Sequence, residues 1–313
     1  MTMTNPMNPM TTALALVAAL ASLPHAARAD EPSVRLATTP PPYALPWQLR
    51  PIAPGNVVRS DTTVAGYATA DGRGATVAST LLASYKVSPT VAPLVRVAVV
   101  RDLPPAGADA TTMSNPLLGV LYGKPLAPAV KLGLFAAFTV PVGGGGGDTP
   151  DAARAAANRA GIAARSSMDN ALFAVNDHAL IGGADLAYVA GGLTVQAELT
   201  VFQLTRVRGG DVQPDKAKTN FTSGLHAGWF ARPWLSVGGE LRYQRWLSTP
   251  QAVAGDPTGA SRDHLTAAAG LRGHIALPGK RWLRPGLAYA RALDDPMRGK
   301  GYDIVQVDVP FVF

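Results

Sequence analysis

Cysteine is missing from all 313 residues, which excludes a disulfide scaffold, a thiolate metal site and a thiol nucleophile. Charge is sparse as well, at 16% of residues, and the net charge of +7 comes from basic residues scattered along the chain, never three in a row. A nucleic-acid binder gathers them on one face, so no nucleic-acid partner is expected. Past residue 30 no apolar run approaches 18 residues, too little for a membrane-crossing helix. Catalytic signatures are lacking too. The chain holds no G-x-S-x-G, no His-x-Ser and no H-E-x-x-H, and no lysine follows the glycine run Gly143–Gly147. His264 and His274 stand ten residues apart on one extended stretch. At the strand rise that separates them by roughly 33 Å, too far to share a metal. No metal, cofactor or enzymatic activity is expected.

What is present begins at the N-terminus. Residues 13–23 form an apolar run of eleven, followed by Pro24 and then by Ala27-Arg28-Ala29 before Asp30. An apolar core of that length with a small-x-small site describes a secretory signal cut near Ala29. Against it, Met1–Thr12 carries no Lys or Arg, and neither Met7 nor Met10 as the start restores one; a disordered Ala-rich lead is the alternative. Residues 30–54 are proline-rich, with Pro40-Pro41-Pro42, Pro46, Pro51 and Pro54. Proline removes ladder donors, so this stretch reads as an irregular periplasmic segment. Its Tyr43, Trp47 and Leu49 would dock at a mouth or remain an unstructured lead-in.

From residue 55 to 313 the dominant period is two. In the last stretch Val305, Val307, Val309, Phe311 and Phe313 face one way, and Gln306, Asp308 and Pro310 the other. The same alternation recurs around 130–140, 193–201, 235–244 and 264–275. Runs of 10–14 residues exceed the usual soluble strand and suit a tilted membrane strand. Twelve strands are expected, at 55–67, 74–86, 91–101, 114–123, 129–142, 177–189, 193–206, 218–231, 234–247, 262–276, 281–292 and 301–313. Short links at 87–90, 124–128, 190–192, 232–233 and 277–280 contrast with long ones at 102–113, 143–176, 207–217, 248–261 and 293–300. Tight turns at one end and long loops at the other describe an all-β fold, a transmembrane antiparallel up-and-down β-barrel.

The longest loop predicts a short helix near 150–160, with Thr149 as cap, Pro150 at its first position and Gly161 as its end. Arg154, Arg159 and Arg165 would then line a constriction, or else lie solvated at the surface. Lumen-facing candidates by phase are Arg96, Lys131, Arg242, Arg272 and Arg284 among cations, Asp185, Glu198, Glu240 and Asp308 among carboxylates, and His226, His264 and His274. They either brace a narrow interior or line a selective passage.

With its terminal Val309-x-Phe311-x-Phe313 strand and Ala27-Arg28-Ala29 site, the chain resembles the outer-membrane β-barrel superfamily of Gram-negative bacteria. That resemblance implies an outer-membrane location in contact with lipid, and recognition of Val309, Phe311 and Phe313 by the barrel-assembly machinery. More loosely, Asn115-Pro116-Leu117-Leu118-Gly119-Val120-Leu121-Tyr122 and Thr139–Gly143 look like small uptake barrels for aromatic compounds or fatty acids. Fatty-acid barrels carry an N-terminal hatch, for which residues 30–54 look too short. The functional expectation is a narrow pore or transporter for small solutes, as a monomer. A structural or surface-interaction barrel is the alternative, and a barrel enzyme the least favoured.

Overall fold

The computed structural model describes residues 35–39 and 43–313; the expected signal segment lies outside the described residues. Twelve long strands form one closed antiparallel barrel: β1 (Val57–Thr69), β2 (Gly72–Ser84), β3 (Val91–Leu103), β4 (Leu117–Ala127), β5 (Val130–Thr139), β6 (Asp177–Ala190), β7 (Leu193–Arg206), β8 (Ala217–Arg232), β9 (Leu235–Trp246), β10 (Asp263–Gly273), β11 (Gly286–Ala292) and β12 (Asp303–Val312). Each pairs with its sequence neighbour. Closure comes from β12 on β1, in register from Asp303 opposite Gly66 to Val312 opposite Val57. Closing the sheet leaves no open edge in lipid, where an unpaired backbone group is costly.

Alternation sorts the side chains as lipid and lumen demand. Leu134, Leu180, Leu199, Leu225 and Leu241 face outward and are exposed, while Thr139, Gln196, Thr200, Thr222 and Gln244 face inward and are buried. An outward belt of this kind suits hydrocarbon as its solvent. The links at 85–90, 128–129, 191–192, 233–234 and 274–285 all lie on one rim, here the inner rim, where residue 57 also enters. The first hairpin, turning at 70–71, is the one tight turn on the outer rim. Between β10 and β11 the strands break at His274 and resume as a short ribbon, Ile275–Leu277 against Arg281–Leu283, which Arg35–Leu36 extends.

Two segments depart from expectation. The helix in the long loop, α1, spans Ala152–Ala164 and is capped by Asp151, whose carboxylate accepts from the Arg154 amide. Thr149 and Pro150 precede it. Gly161 does not end it, because that position packs against Phe173, and a Cβ there would stand 2.7 Å from the Phe173 ring. A single-turn helix, α2 (Asn170–Phe173), follows. Residues 43–54 are irregular, yet they do not stop at the mouth. They run up inside the barrel, where Trp47, Leu49 and Ile52 are almost fully buried.

Candidate functional site

The lumen is occupied from both ends, and each occupant is held by side chains of the wall. Residues 43–54 form a plug from the inner rim. Its prolines forbid a ladder, so its backbone groups find partners among inward side chains instead. The amide of Trp47 donates to Glu240 Oε1 at 2.6 Å and that of Arg50 to Glu198 Oε2 at 2.6 Å. Gln196 donates to the Arg50 carbonyl at 2.7 Å, and Gln306 to the Trp47 carbonyl at 3.2 Å. Arg272 reaches the carbonyls of Leu45 and Pro46, while Arg59 donates to that of Trp47. The Arg50 guanidinium lies 3.3 Å from Asp185 and 3.2 Å from Glu198. Glycine makes room on the wall. A Cβ on Gly224 would meet the Leu49 side chain at 2.7 Å, and one on Gly123 would run into the Pro54 ring.

From the outer rim the 140–176 loop folds inward, with α1 against β1, β2 and β3. Asn115 fastens it: its side-chain amide donates to Ala174 and Asp177 carbonyls and its Oδ1 accepts from the Gly143 amide. Arg165 is buried, 2.8 Å from Asp61 and 2.9 Å from Asp169. Asp169 also receives Arg96 at 2.6 Å and the Gln48 side-chain amide at 2.7 Å. Gln48 belongs to the plug, so Asp169 joins the two occupants. Burial pushes the Asp169 carboxyl up, but the guanidinium groups of Arg96 and Arg165 outweigh it and hold it well below the usual carboxylate range.

All twelve candidate lumen residues sit on inward positions, in different company. Glu240 and Arg242 pair at 2.8 Å. Asp308 bridges Arg272 at 2.9 Å and Arg59 at 2.6 Å. Asp185 and Glu198 hold the plug's arginine. His226 sits edge-on to Trp47. Lys131 lies over the Tyr43 ring and Arg284 over that of Trp282, both towards the inner rim. His264 is apart from these, at the outer end. Ser236 and His274 are 2.9 Å apart. Both are buried, and among the described residues His274 Nδ1 has no hydrogen-bond partner of the kind that orients a catalytic imidazole. Of the loop arginines only Arg165 reaches the interior; Arg154 and Arg159 are exposed at the outer rim. Val309 and Phe311 face outward on β12, with Phe313 just beyond its end.

Sequence reasoning missed Arg50, Arg59, Asp61 and Asp169. Arg59 and Asp61 share an inward phase, but Ser60 and Thr62 opposite them blur the alternation. Arg50 and Asp169 lie in irregular segments, where no period exists to place them.

The plug is hydrogen-bonded on one side; on the other it packs against β4 and β5 at Gly123, Gly133 and Phe135 and leaves cavities between those contacts. Inward residues on β2 to β5 are largely apolar. Leu82, Leu94, Leu117, Leu121 and Phe135, joined by Ile181 and Phe202, line a cavity of about 80 Å³ beside Gln48 and Arg50. A second cavity of about 180 Å³ adjoins it towards the inner rim, sharing Pro51, Leu82, Leu94 and Leu121.

Closure of twelve strands with an apolar exterior settles the architecture. The fold is that of an outer-membrane β-barrel. An outer-membrane channel from Pseudomonas putida F1 matches it with a TM-score of 0.53 at 13% identity, over 85% of this chain and 98% of that one. The NanC porin matches at 0.47 and 7% identity, over 81% of this chain and all of its own. The KdgM porin in complex with disordered oligogalacturonate gives 0.45 and 10%, over 82% and 99%. No known family profile and no curated protein matches the sequence.

Proposed function

We propose that this barrel is a narrow, gated pore for small solutes, closed in the conformation seen here by its plug and its inward loop. The observation that carries this reading is the one-sided attachment of the plug. Its hydrogen bonds and ion pairs with the wall fall on β1, β6, β7, β9, β10 and β12, whereas towards β2 to β5 it makes only packing and ring contacts, such as Pro54 at Gly123 and Arg50 over Phe135, beside two apolar cavities. A segment needed only to fill a barrel would pack against the whole wall. One held by replaceable hydrogen bonds on one side, with a cavity on the other, can shift without dismantling a core. Solutes that pass would be small, with an apolar part running along β2 to β5. Outer-membrane lipid around the barrel and assembly through the terminal strand belong to this proposal, as does a monomeric barrel.

The test is single-channel recording of refolded protein in planar bilayers. Wild type should show rare, brief openings. Deletion of residues 143–168, or Glu198→Gln with Glu240→Gln to loosen the plug, should give sustained conductance. Bilayers that stay closed with every variant, each shown to be folded, would sink the pore reading. They would favour a structural or surface-interaction barrel instead, a reading the dense ion-pair network inside the lumen also supports.

A further inference from the structure

On the outer side, α1 divides the vestibule into two clefts of similar size, about 410 and 440 Å³. Their charge differs. The larger is balanced: Lys218 lies 2.8 Å from Asp177, and Asp215 accepts from the Gln251 amide. The smaller is lined by Arg159, which also borders the larger cleft, and by Lys300, His264, Ser167 and Tyr302, with no carboxylate in its wall. Among the described residues neither Arg159 nor Lys300 forms an ion pair. The acidic groups nearby are turned to other work. Asp102 accepts from the hydroxyls of Tyr67 and Thr76, and Asp294 from the Leu265 amide. His264 Nδ1 is buried without a partner.

We propose that this smaller cleft is a capture site for a small anion, a carboxylate or a phosphate, held between Arg159 of α1 and Lys300 of the β11–β12 loop. Two cations that face one concave space without a counter-ion attract an anion at little desolvation cost, because both remain partly solvated. Tyr302 lies in the same wall and can add a neutral donor, as can Ser167 if its hydroxyl turns from Met297 Sδ, which it now reaches at 4.0 Å. Ser167 is two residues from Arg165, so an anion bound here would touch the loop that closes the lumen. The inference deepens the pore reading, since the cleft lies at the pore's outer approach, but binding itself needs no flow.

Calorimetric titration of the refolded protein in micelles with benzoate, and separately with inorganic phosphate, tests it. At least one should bind in the millimolar range or tighter, and the stronger identifies the class. Arg159→Ala should weaken binding at least tenfold and Lys300→Ala several-fold, while Arg159→Lys retains most of it. Arg154→Ala removes the same charge from the same helix outside the cleft and should change binding less than twofold. Native fold is checked for each by heat-modifiable gel mobility. No binding of either anion, or equal losses in Arg154→Ala and Arg159→Ala, would overturn the proposal. Binding without conductance in any variant would remove the pore and leave the cleft standing.

Discussion

The two arcs of the lumen wall differ more than the two ends of the barrel do. Along β6 to β10, β12 and β1, inward positions carry Asp185, Glu198, Glu240, Arg242, Arg272, Asp308, Arg59 and Asp61, and the plug is tied to most of them. Along β2 to β5, beside Arg96 and Lys131, they carry Leu82, Leu94, Leu117, Leu121 and Phe135, and the plug makes packing and ring contacts with cavities between them. A buried charge demands a partner, so the first arc orders whatever segment enters. An apolar wall makes no directional demand, so the second leaves space. Gating, on this view, is a property of the charged arc and passage one of the apolar arc.

Breaking the charged arc should have the largest effect. Glu240→Ala leaves buried Arg242 without its carboxylate, with only the neutral acceptors Ser166 and Gln306, and frees the Trp47 amide; losing one partner of a buried pair costs about 3–5 kcal/mol. Urea unfolding of the refolded protein should show that loss, and the same variant should conduct. Destabilisation without conductance would mean that the charged arc braces but does not gate. Next comes Asp169→Ala, which uncouples loop from plug and leaves Arg96 and Arg165 without their shared acceptor, at about 2–3 kcal/mol. Limited trypsinolysis at Arg165, shielded in wild type, reads the released loop. On the apolar arc Leu94→Ala should cost about 2 kcal/mol, the low end for such a truncation, because its side chain is only half-buried and already borders empty space. It should leave wild type closed and raise conductance only in the Glu198→Gln, Glu240→Gln background. Conductance from Leu94→Ala alone would reverse the roles of the two arcs.

The smallest effects are expected from mild acid and from the surface. Since the folded Asp169 carboxyl titrates below its ordinary value, its contribution is present above that value and is lost only as pH falls through the lower one. Conductance should therefore stay at its resting level between pH 7 and pH 5, and opening within that window would assign the latch to another group. Arg154, in an exposed pair with Asp151, should tolerate Ala within about 0.5 kcal/mol.

Much of the barrel was legible before any coordinates. A period of two in 10–14-residue runs identifies strands whose two faces meet different solvents, and short links alternating with long ones set their order. The same period placed Arg242, Glu240, Arg272 and Asp308 on one inward set, because a strand allows a residue only two directions. It could not say which of them meet. Arg242 and Glu240 are neighbours on β9, but Asp308 finds Arg59 only when β12 closes on β1. The irregular segments were illegible for the same physical reason. Residues 43–54 show only that they cannot make a ladder, and a ladder-less segment is equally compatible with water and with a lumen lined by acceptors.

Sequence alone, then, determined the strands, their inward faces and the outward band, because local alternation and turn chemistry need no distant partner. Tertiary structure alone decided that the proline-rich lead is a plug, that Arg165 reaches Asp61 while Arg154 and Arg159 stay outside, and that cavities remain along one arc of the wall. Each of those outcomes depends on charges far apart in the chain finding one another, and only closure of the barrel brings them within reach.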